Sequence, residues 1–271
     1  MTNTFVPLLI FGAGKMGGAM LGGALKAGWP ASMISVIDPN PSDALRKQAE
    51  AEGFSLNPAA GTGSRLVLLA IKPQMLDSAA KTLSAHVTAE TILVSILAGK
   101  SIADLKARLP QVSKLVRAMP NTPAAIGRGM TGAYAAGNLD DAEKALVFAL
   151  LKTTGRLEWV ENEALIDAVT AVSGSGPAYV FYLVETLAKA GEELGLPPAL
   201  AMKLARATIE GAGELLFQDA ETAPATLRQN VASPGGTTAA ALEHLMAQDG
   251  LQPLMTKAVK AARARAKALA G

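Results

Sequence analysis

Short apolar runs alternate with amphipathic stretches through the first part of the chain, and this alternation constrains the fold more than any other feature. The apolar runs show no regular exchange with polar residues, as expected of strands buried on both faces of a sheet. We predict strands at 7–11, 34–37, 66–71, 91–96 and 112–118, separated by helices at 15–27, 41–52, 75–85 and 102–108. Such βαβα order is typical of a doubly wound parallel sheet.

The pattern changes beyond the last of these strands. Two further strands at 129–136 and 156–160, with a helix at 140–153, complete a first domain that we place at residues 1–161. From there on, every periodic stretch has the spacing of a helix, with breaks at glycine and proline. We therefore expect an α/β domain followed by an all-helical domain at residues 162–271.

Composition excludes several classes of function. The formal net charge is only +2 and the charged residues are scattered, so no surface for nucleic acid or for a membrane is expected. The chain has no cysteine, and His86 and His244 lie far apart, so we expect no disulfide and no metal site. The first residues have neither a basic leader nor about 20 apolar residues, which predicts a cytoplasmic protein. Redox chemistry in such a chain needs a bound organic cofactor.

A glycine-rich sequence, "FGAGKMG" at residues 11–17, follows the first predicted strand and opens the first helix. Gly12, Gly14 and Gly17 fit the G-x-G-x-x-G pattern in the strand-to-helix context that dinucleotide binding requires. In that pattern the first glycine allows the tight turn, the second lets the backbone approach a pyrophosphate, and the third lets the helix pack on the strand. The first domain is therefore expected to be of the Rossmann type.

Two further residues near strand ends are candidates for the cofactor site. Asp38 ends the second predicted strand, where a carboxylate in this fold bonds the ribose 2′-hydroxyl, which would favour NADH over NADPH. Because Pro39 follows, Asp38 could instead serve only the turn, and both interpretations stay open. Lys72 in "AIKP" is either a solvated loop lysine or, as we favour, a residue beside the cofactor, since Pro73 fixes its backbone at the end of a strand.

A turn of small residues, "SPGGTT" at 233–238, leads directly into a predicted helix. Backbone amides at a helix N-terminus bind anions, because they lack acceptors within the helix and lie at the positive end of its dipole. The alternative is a plain N-terminal turn in which Ser233 or Thr237 caps the helix. The two interpretations are compatible.

The motifs "GAGKMG", "AIKP", "RAMPNTPAAIG", "AVSGSGPAYVF" and "NVASPGGTT" occur in this order, and with them the chain resembles the pyrroline-5-carboxylate reductase family from end to end. The resemblance implies reduction of 1-pyrroline-5-carboxylate to L-proline by NADPH or NADH, the last step of proline biosynthesis. It also implies a Rossmann domain, a helical oligomerising domain, and a homo-oligomer that is a dimer or a larger assembly of dimers.

The resemblance also implies most of the site residues. Including Asp38, the expected cofactor contacts are Gly12, Ala13, Gly14, Lys15, Met16, Gly17, Asp38, Asn57, Ala70, Ile71, Lys72, Pro73, Ala98, Asn121 and Asn230. The expected substrate contacts are Glu163, Ser233, Gly235, Gly236, Thr237 and Thr238. Several relatives have Ala where this chain has Thr237, so only Thr238 is expected to supply an essential hydroxyl.

The chemistry of an imine fits these residues without the resemblance. Hydride addition to a neutral ketone leaves an alkoxide and calls for a positioned acid, and residues 233–238 contain none. A protonated imine is already electrophilic and needs mainly to be oriented. We therefore expect the amides of residues 235–238 to hold the substrate carboxylate. Thr238 is expected to bond the ring nitrogen and relay a proton as the catalytic residue.

Two other functions fit the residues less well. A β-hydroxyacid dehydrogenase would need a lysine four residues after Gly176, and Val180 stands there. A dinucleotide sensor without turnover would not need "SPGGTT".

The helix that follows "SGSG" is apolar in almost every direction around its first turns, and a helix of this kind must be buried on all sides. Its apolar residues include Ala178, Val180, Phe181, Leu183, Val184, Leu187 and Ala188. We expect a second subunit to supply cover through a large interface. The alternative is a central helix wrapped by the other helices of the same chain. With a second subunit, the substrate pocket would combine the Rossmann domain of one chain with the helical domain of its neighbour.

Overall fold

The computed structural model describes residues 5–59, 61 and 63–269. The chain divides into two compact units, one of residues 1–174 together with 262–271 and one of residues 175–261. The expected domain boundary between residues 161 and 162 falls inside the first unit, and the division into domains stays a prediction.

One eight-stranded sheet organises the first unit. Its strands are β1 (Leu8–Phe11), β2 (Ile34–Ile37), β3 (Ser55–Leu56), β4 (Leu66–Leu69), β5 (Ile92–Ser95), β6 (Lys114–Met119), β7 (Gly129–Ala136) and β8 (Gly155–Trp159). They lie in the order β3-β2-β1-β4-β5-β6-β7-β8. The pairs are parallel except for β6 and β7, which run antiparallel. The predicted Rossmann-type doubly wound fold is confirmed, with this one antiparallel pair as a correction.

Within the described residues, this unit contains α1 (Lys15–Lys26), α2 (Asp43–Glu52), α3 (Leu76–Leu83), α4 (Ile102–Arg108), α5 (Asp141–Leu151) and α6 (Leu165–Val169), which continues as a π-helix over Thr170–Gly174. Local sequence sets where they begin. The Ser42 hydroxyl accepts from Leu45 N, so α2 begins after Ser42 and not at residue 41 as predicted. Capping boxes begin α4, with Ser101 and Asp104, and α5, with Asp140 and Glu143.

Both faces of the sheet are covered. All residues of β1, β4 and β5 are buried. Leu8 and Ile10 belong to one apolar cluster, and Leu9 and Phe11 to another. Because side chains alternate across a strand, these clusters lie on opposite faces of the sheet. The apolar runs of the sequence are therefore explained by burial on both sides.

The second unit is helical. It contains α7 (Gly176–Glu193), α8 (Pro198–Gln218), α9 (Pro224–Val231), α10 (Thr237–Leu245) and α11 (Leu251–Leu269), the last of which ends among residues that group with the first unit. As predicted, residues 162–269 contain no strand. Over the described part of the chain, no helix is long and apolar enough to cross a membrane.

Candidate active site and cofactor crevice

The glycine-rich loop between β1 and α1 has the geometry that its sequence predicts. Gly12 has φ +95°, and a side chain there would come within 2.6 Å of the Ala70 carbonyl oxygen. A side chain at Gly17 would overlap the carbonyl of Gly12. At Gly14, by contrast, an added Cβ would have nothing within 4 Å. Two glycines are therefore required for close packing, and the third faces open space.

The N-terminus of α1 opens onto that space. Gly14 is its N-cap residue, no side chain caps it, and its first turn contains no acidic residue. Lys15 is exposed and Met16 half-buried. An uncapped helix N-terminus with room beside its backbone suits a diphosphate. The residues of this loop therefore fit the dinucleotide that the sequence predicts.

Asp38 and Asn57 are tied to each other and to the glycine loop. Asp38 Oδ2 accepts from Ala13 N at 2.9 Å, and its Oδ1 accepts from Asn40 N at 2.9 Å. Asn57 accepts from Asp38 N at 2.9 Å and donates to Asp38 O at 3.0 Å. Asp38 therefore serves its own turn and also holds the glycine loop. A carboxylate oxygen accepts more than one hydrogen bond, so the expected contact with the ribose stays a prediction.

The remaining predicted cofactor residues of the first unit follow other strands of the sheet. Ala70, whose amide bonds Phe11 O at 2.8 Å, follows β4. The exposed Lys72 lies just before a short 3₁₀ turn that begins at Pro73. Ala98 is exposed between β5 and α4. Because β1, β4 and β5 are parallel, these loops and Gly12 lie at one edge of the sheet, where this fold binds ligands.

Asn121 follows β6 and has its amide group engaged. Its Nδ2 lies 3.2 Å from both the carbonyl oxygen and the Oγ of Ser173, and its Oδ1 accepts from Met130 N at 2.9 Å. Ser173 belongs to the π-helix after α6. Asn121 therefore joins the loop after β6 to that segment, and its contact with a cofactor stays a prediction.

Glu163 lies in a charge network that the sequence did not predict. Its Oε1 accepts from Ile102 N at 2.8 Å and from Arg117 Nη1 at 3.2 Å. Arg117 Nη2 in turn bonds Asp167 Oδ1 at 3.1 Å. The sequence feature that could have indicated this network is an arginine within the apolar strand "KLVRAM". The expected role of Glu163 near the substrate ring nitrogen stays a prediction.

The first residue of α4 is bonded to Glu163, and the capping box that begins this helix contains a negatively charged residue, Asp104. Burial alone would raise the pKa of Asp104. Hydrogen bonds from the amide and hydroxyl of Ser101 outweigh burial and hold that pKa below its usual value. The cap therefore stays ionised at neutral pH and favours the N-terminal end of the helix dipole.

The turn before α10 is built around its glycines. Gly235 has φ +68°, and a Cβ on Gly236 would overlap the Ser233 hydroxyl. Gly236 N donates to Ser233 O at 3.0 Å, so this amide, expected to hold the carboxylate, is engaged within the turn. Gly236 is the N-cap and no side chain caps α10, so the alternative of capping by Ser233 or Thr237 is not observed.

The turn leaves the first amides of α10 without acceptors in the helix, as at every helix N-terminus. Thr237 is exposed and Thr238 half-buried at this point. Asn230 is exposed near the end of α9. These residues belong to the second unit, whereas Glu163 and the other predicted cofactor residues belong to the first.

The apolar side chains of α7 are not covered by the chain itself. Phe181 is 61% and Tyr182 66% exposed, and Val180, Leu183 and Leu187 are each exposed by more than two fifths. The alternative of a central helix wrapped by its own chain is therefore wrong. Residues of α7 and α11 also line an apolar groove of about 520 Å³, among them Tyr182, Leu183, Leu254 and Met255.

Comparison with known proteins gives matches over nearly all of the chain. The family described as "Pyrroline-5-carboxylate reductase dimerisation" matches residues 163–269, and that described as "NADP oxidoreductase coenzyme F420-dependent" matches residues 8–99. The pyrroline-5-carboxylate reductase of Haemophilus influenzae is 39% identical over 242 residues, 89% of each chain.

Solved structures agree with these matches. A pyrroline-5-carboxylate reductase from Coxiella burnetii has a TM-score of 0.90 and 32% identity, covering 99% of this chain and 100% of the other. The Plasmodium falciparum pyrroline carboxylate reductase with NADP bound has a TM-score of 0.79 and 26% identity, covering 100% of both chains. The similarity thus extends over both compact units.

Proposed function

The chain belongs to the pyrroline-5-carboxylate reductase family, and we infer that it reduces 1-pyrroline-5-carboxylate to L-proline with NADPH or NADH. It is an oxidoreductase that acts on a carbon–nitrogen double bond in proline biosynthesis. The observation in the structure that carries this assignment is the uncapped N-terminus of α1, where Gly14 leaves room for a dinucleotide.

The first unit would hold the dinucleotide with the loops described above. The amide of Ala13 donates to Asp38, so the amides of residues 14–17 would receive the diphosphate, with Asp38 and Asn57 on the adenosine side. The residues after β4, β5 and β6 would lie along the rest of the crevice, namely Ala70, Ile71, Lys72, Pro73, Ala98 and Asn121. The bound cofactor supplies the hydride. Asn230 of the second unit is proposed to lie on the nicotinamide side.

The turn of residues 233–238 would hold the substrate carboxylate. Of its amides, that of Gly236 is engaged with Ser233 O, so the binding role falls on Gly235, Thr237 and Thr238. The positive end of the α10 dipole favours an anion there. Ser233 would contribute its hydroxyl, and Glu163 would lie near the cationic ring nitrogen.

Thr238 is proposed as the catalytic residue. Hydride addition to the protonated imine forms a carbon–hydrogen bond and leaves a neutral amine, so no alkoxide needs an acid. The chain's task is then to orient the ring and to manage the proton on its nitrogen. The Thr238 hydroxyl can accept from the iminium N–H and donate to the amine that forms.

The match to a dimerisation family and the exposed apolar face of α7 support a homo-oligomer. We propose a dimer or an assembly of dimers in which the crevice of one chain is completed by the turn 233–238 of its neighbour. Two inactive variants, one altered at Gly14 and one at Thr238, should then regain partial activity when co-expressed. Mixed oligomers without activity would place the whole site in one chain.

We also propose a cytoplasmic protein without a nucleic-acid partner, because the charges are balanced and scattered. Fractionation of cells that express the chain would test its location, and gel-shift assays with DNA and RNA would test the second point.

One assay tests the reaction itself. The purified protein is incubated with 1-pyrroline-5-carboxylate and either NADPH or NADH, and the absorbance of the reduced nicotinamide is followed while L-proline is identified by chromatography. We expect consumption of one reduced cofactor per proline formed. Turnover of a β-hydroxyacid with oxidised cofactor, but not of the imine, would contradict the assignment.

A further inference from the structure

Arg117 is a buried cation in the middle of an apolar strand. It is 4% exposed, and its neighbours in β6, Val116 and Ala118, are buried. Its two terminal nitrogens bond Glu163 and Asp167, while its Nε is buried and has no hydrogen-bond partner in the described part of the chain. A charged side chain with an unpartnered polar atom at a core position needs a reason.

Stability does not supply that reason. Burying a guanidinium and partly burying its two carboxylate partners has a cost that their mutual attraction often fails to recover. Well-packed apolar residues at such positions are often as stable or more so. The unpartnered Nε adds to that cost. Leu115, two residues earlier on the same face of β6, is buried in an apolar cluster, so an aliphatic side chain fits this face of the sheet. What an arginine adds over an aliphatic residue is fixed geometry.

One arm of the network reaches the loop after β5. Arg117 is paired across the sheet with Ser95, the last residue of β5. Glu163, held by Arg117, accepts from the amide of Ile102, the first residue of α4. Residues 96–101 are thus fixed at one end by the strand and at the other by Glu163. This loop carries Ala98, one of the proposed cofactor contacts.

The other arm reaches the loop after β6. Asp167 lies in α6, which continues into the π-helix of residues 170–174. Ser173 in that π-helix bonds the amide group of Asn121. The segment 163–174 is therefore fastened to β6 and its loop at two points, by Arg117 at one end and by Asn121 at the other.

We propose that Arg117 is a positioning residue of the cofactor crevice, which sets the loops after β5 and β6 through Glu163 and Asp167. This inference rests on the proposed function, since it takes these loops to bind NAD(P)H. A planar guanidinium can bond both carboxylates at once in fixed directions, which an ammonium group cannot reproduce. Lysine at this position is therefore expected to restore the charge but not the geometry.

The test separates positioning from mere stability. The variants are Arg117→Met, Arg117→Lys and the triple variant Arg117→Met/Glu163→Gln/Asp167→Asn, which removes the uncompensated charges together with the arginine. The matched control is Lys114→Met on the same strand, which breaks ion pairs with Glu90 and Glu143. Each protein is measured for its unfolding midpoint, for its dissociation constants for NADPH and NADH by nicotinamide fluorescence, and for hydrogen exchange over residues 96–104.

Arg117→Met and Arg117→Lys should bind both cofactors about tenfold more weakly and exchange faster over residues 96–104. The triple variant should recover the unfolding midpoint of the wild type, yet keep the weak binding and the fast exchange. Lys114→Met should lower the midpoint without changing cofactor binding.

A triple variant that binds NAD(P)H as tightly as the wild type, with residues 96–104 protected, would overturn the proposal, as would unchanged binding in Arg117→Met. If Arg117→Met does not fold, the triple variant alone decides. Failure of the proposed function has a different signature: the wild-type protein itself would not reduce 1-pyrroline-5-carboxylate. The comparison of hydrogen exchange over residues 96–104 among the variants does not depend on that turnover.

Discussion

The two units of this molecule bury their apolar residues to very different extents. In the first unit, β1, β4 and β5 are completely buried between two apolar clusters. In the described part of the second unit, the buried apolar residues are three alanines: Ala188, Ala201 and Ala205. Many of its large apolar side chains, such as Phe181 and Leu254, are exposed. The first unit completes its core from its own chain, and the second does not.

This difference in burial indicates that the second unit provides an interface between subunits. Contiguous exposed apolar surface on a helical unit marks an interface. In a symmetric pair the same face of each copy would cover the other, so one set of exposed residues provides both sides of the contact. The unit that folds around its own core carries the proposed cofactor crevice, and the unit with uncovered apolar helices carries the proposed substrate turn.

The largest effect is expected from a charge on the uncovered helix. Phe181→Glu should weaken association by a factor of 100 or more, because an unpaired carboxylate buried in an interface costs about 3–5 kcal/mol. Sedimentation velocity and turnover at matched concentrations would measure this. Met33→Glu in the first unit is the control, since Met33 is 41% exposed and lies away from the second unit's helices in sequence.

Wild-type assembly and activity in Phe181→Glu would show that the uncovered face of α7 is ordinary surface. Equal losses in both variants would remove the contrast between the two units.

The next effect concerns the substrate turn of the second unit. Thr238→Val should leave cofactor binding intact and lower kcat by about 30- to 150-fold, which corresponds to about 2–3 kcal/mol for a hydrogen bond made near the transition state. Thr237→Val, a neighbouring substitution of the same kind, should have little effect on kcat. If Thr238→Val raises only KM, the hydroxyl binds substrate and takes no part in proton transfer.

A smaller effect is expected in the first unit, at Asp38. If its carboxylate reads the ribose, Asp38→Ser should raise kcat/KM for NADPH relative to NADH by about tenfold, through loss of repulsion of a 2′-phosphate. Asp38→Asn keeps an oxygen that can accept from Ala13 N but removes the negative charge. It therefore distinguishes the effect of the charge from that of the hydrogen bond to the glycine loop. Steady-state kinetics with both cofactors give the ratio. The same ratio in all three proteins would leave Asp38 only its observed role in the turn.

The smallest effect concerns pH and the first unit alone. Burial lowers the pKa of His86 below its usual 6.5. As the pH falls through about 6.5, His86 becomes protonated in the unfolded chain while it stays neutral in the folded protein. The free energy of unfolding therefore decreases as the pH falls from about 6.5 towards the folded-state pKa. Between pH 7.5 and 5.5 this amounts to at most about 1.4 kcal/mol.

Urea midpoints at both pH values would measure this contribution. His86→Phe should flatten the pH dependence. A pH dependence that is unchanged in His86→Phe would assign it to other groups. Unlike the effect of Phe181→Glu, that of His86 should not depend on protein concentration if the first unit is self-sufficient.

Most of the fold could be predicted because it follows from local chemistry. Short apolar runs without alternation are typical of strands covered on both faces. A Cβ at Gly12 or Gly17 has no room. Two features could not be predicted. Ser55–Leu56 forms a strand by pairing with β2, not through an apolar pattern of its own. The antiparallel direction of β7 is likewise a property of its pairing with β6.

The candidate site, like the fold, could be predicted only in part from the sequence. Steric motifs identified the glycine loop, and the all-round apolar pattern of α7 correctly indicated that its own chain does not cover it. The Arg117, Glu163 and Asp167 network joins residues distant in sequence, and no local pattern specifies such a contact. The hydrogen bond from Gly236 N to Ser233 O was missed because the turn type decides which amides stay free.

We propose that the second unit is completed by another copy of the chain. Sedimentation equilibrium or light scattering of the purified protein at micromolar concentration tests it directly. We predict the mass of a dimer or of a whole number of dimers, based on a chain of 27.7 kDa. A stable, active monomer at that concentration would contradict the claim.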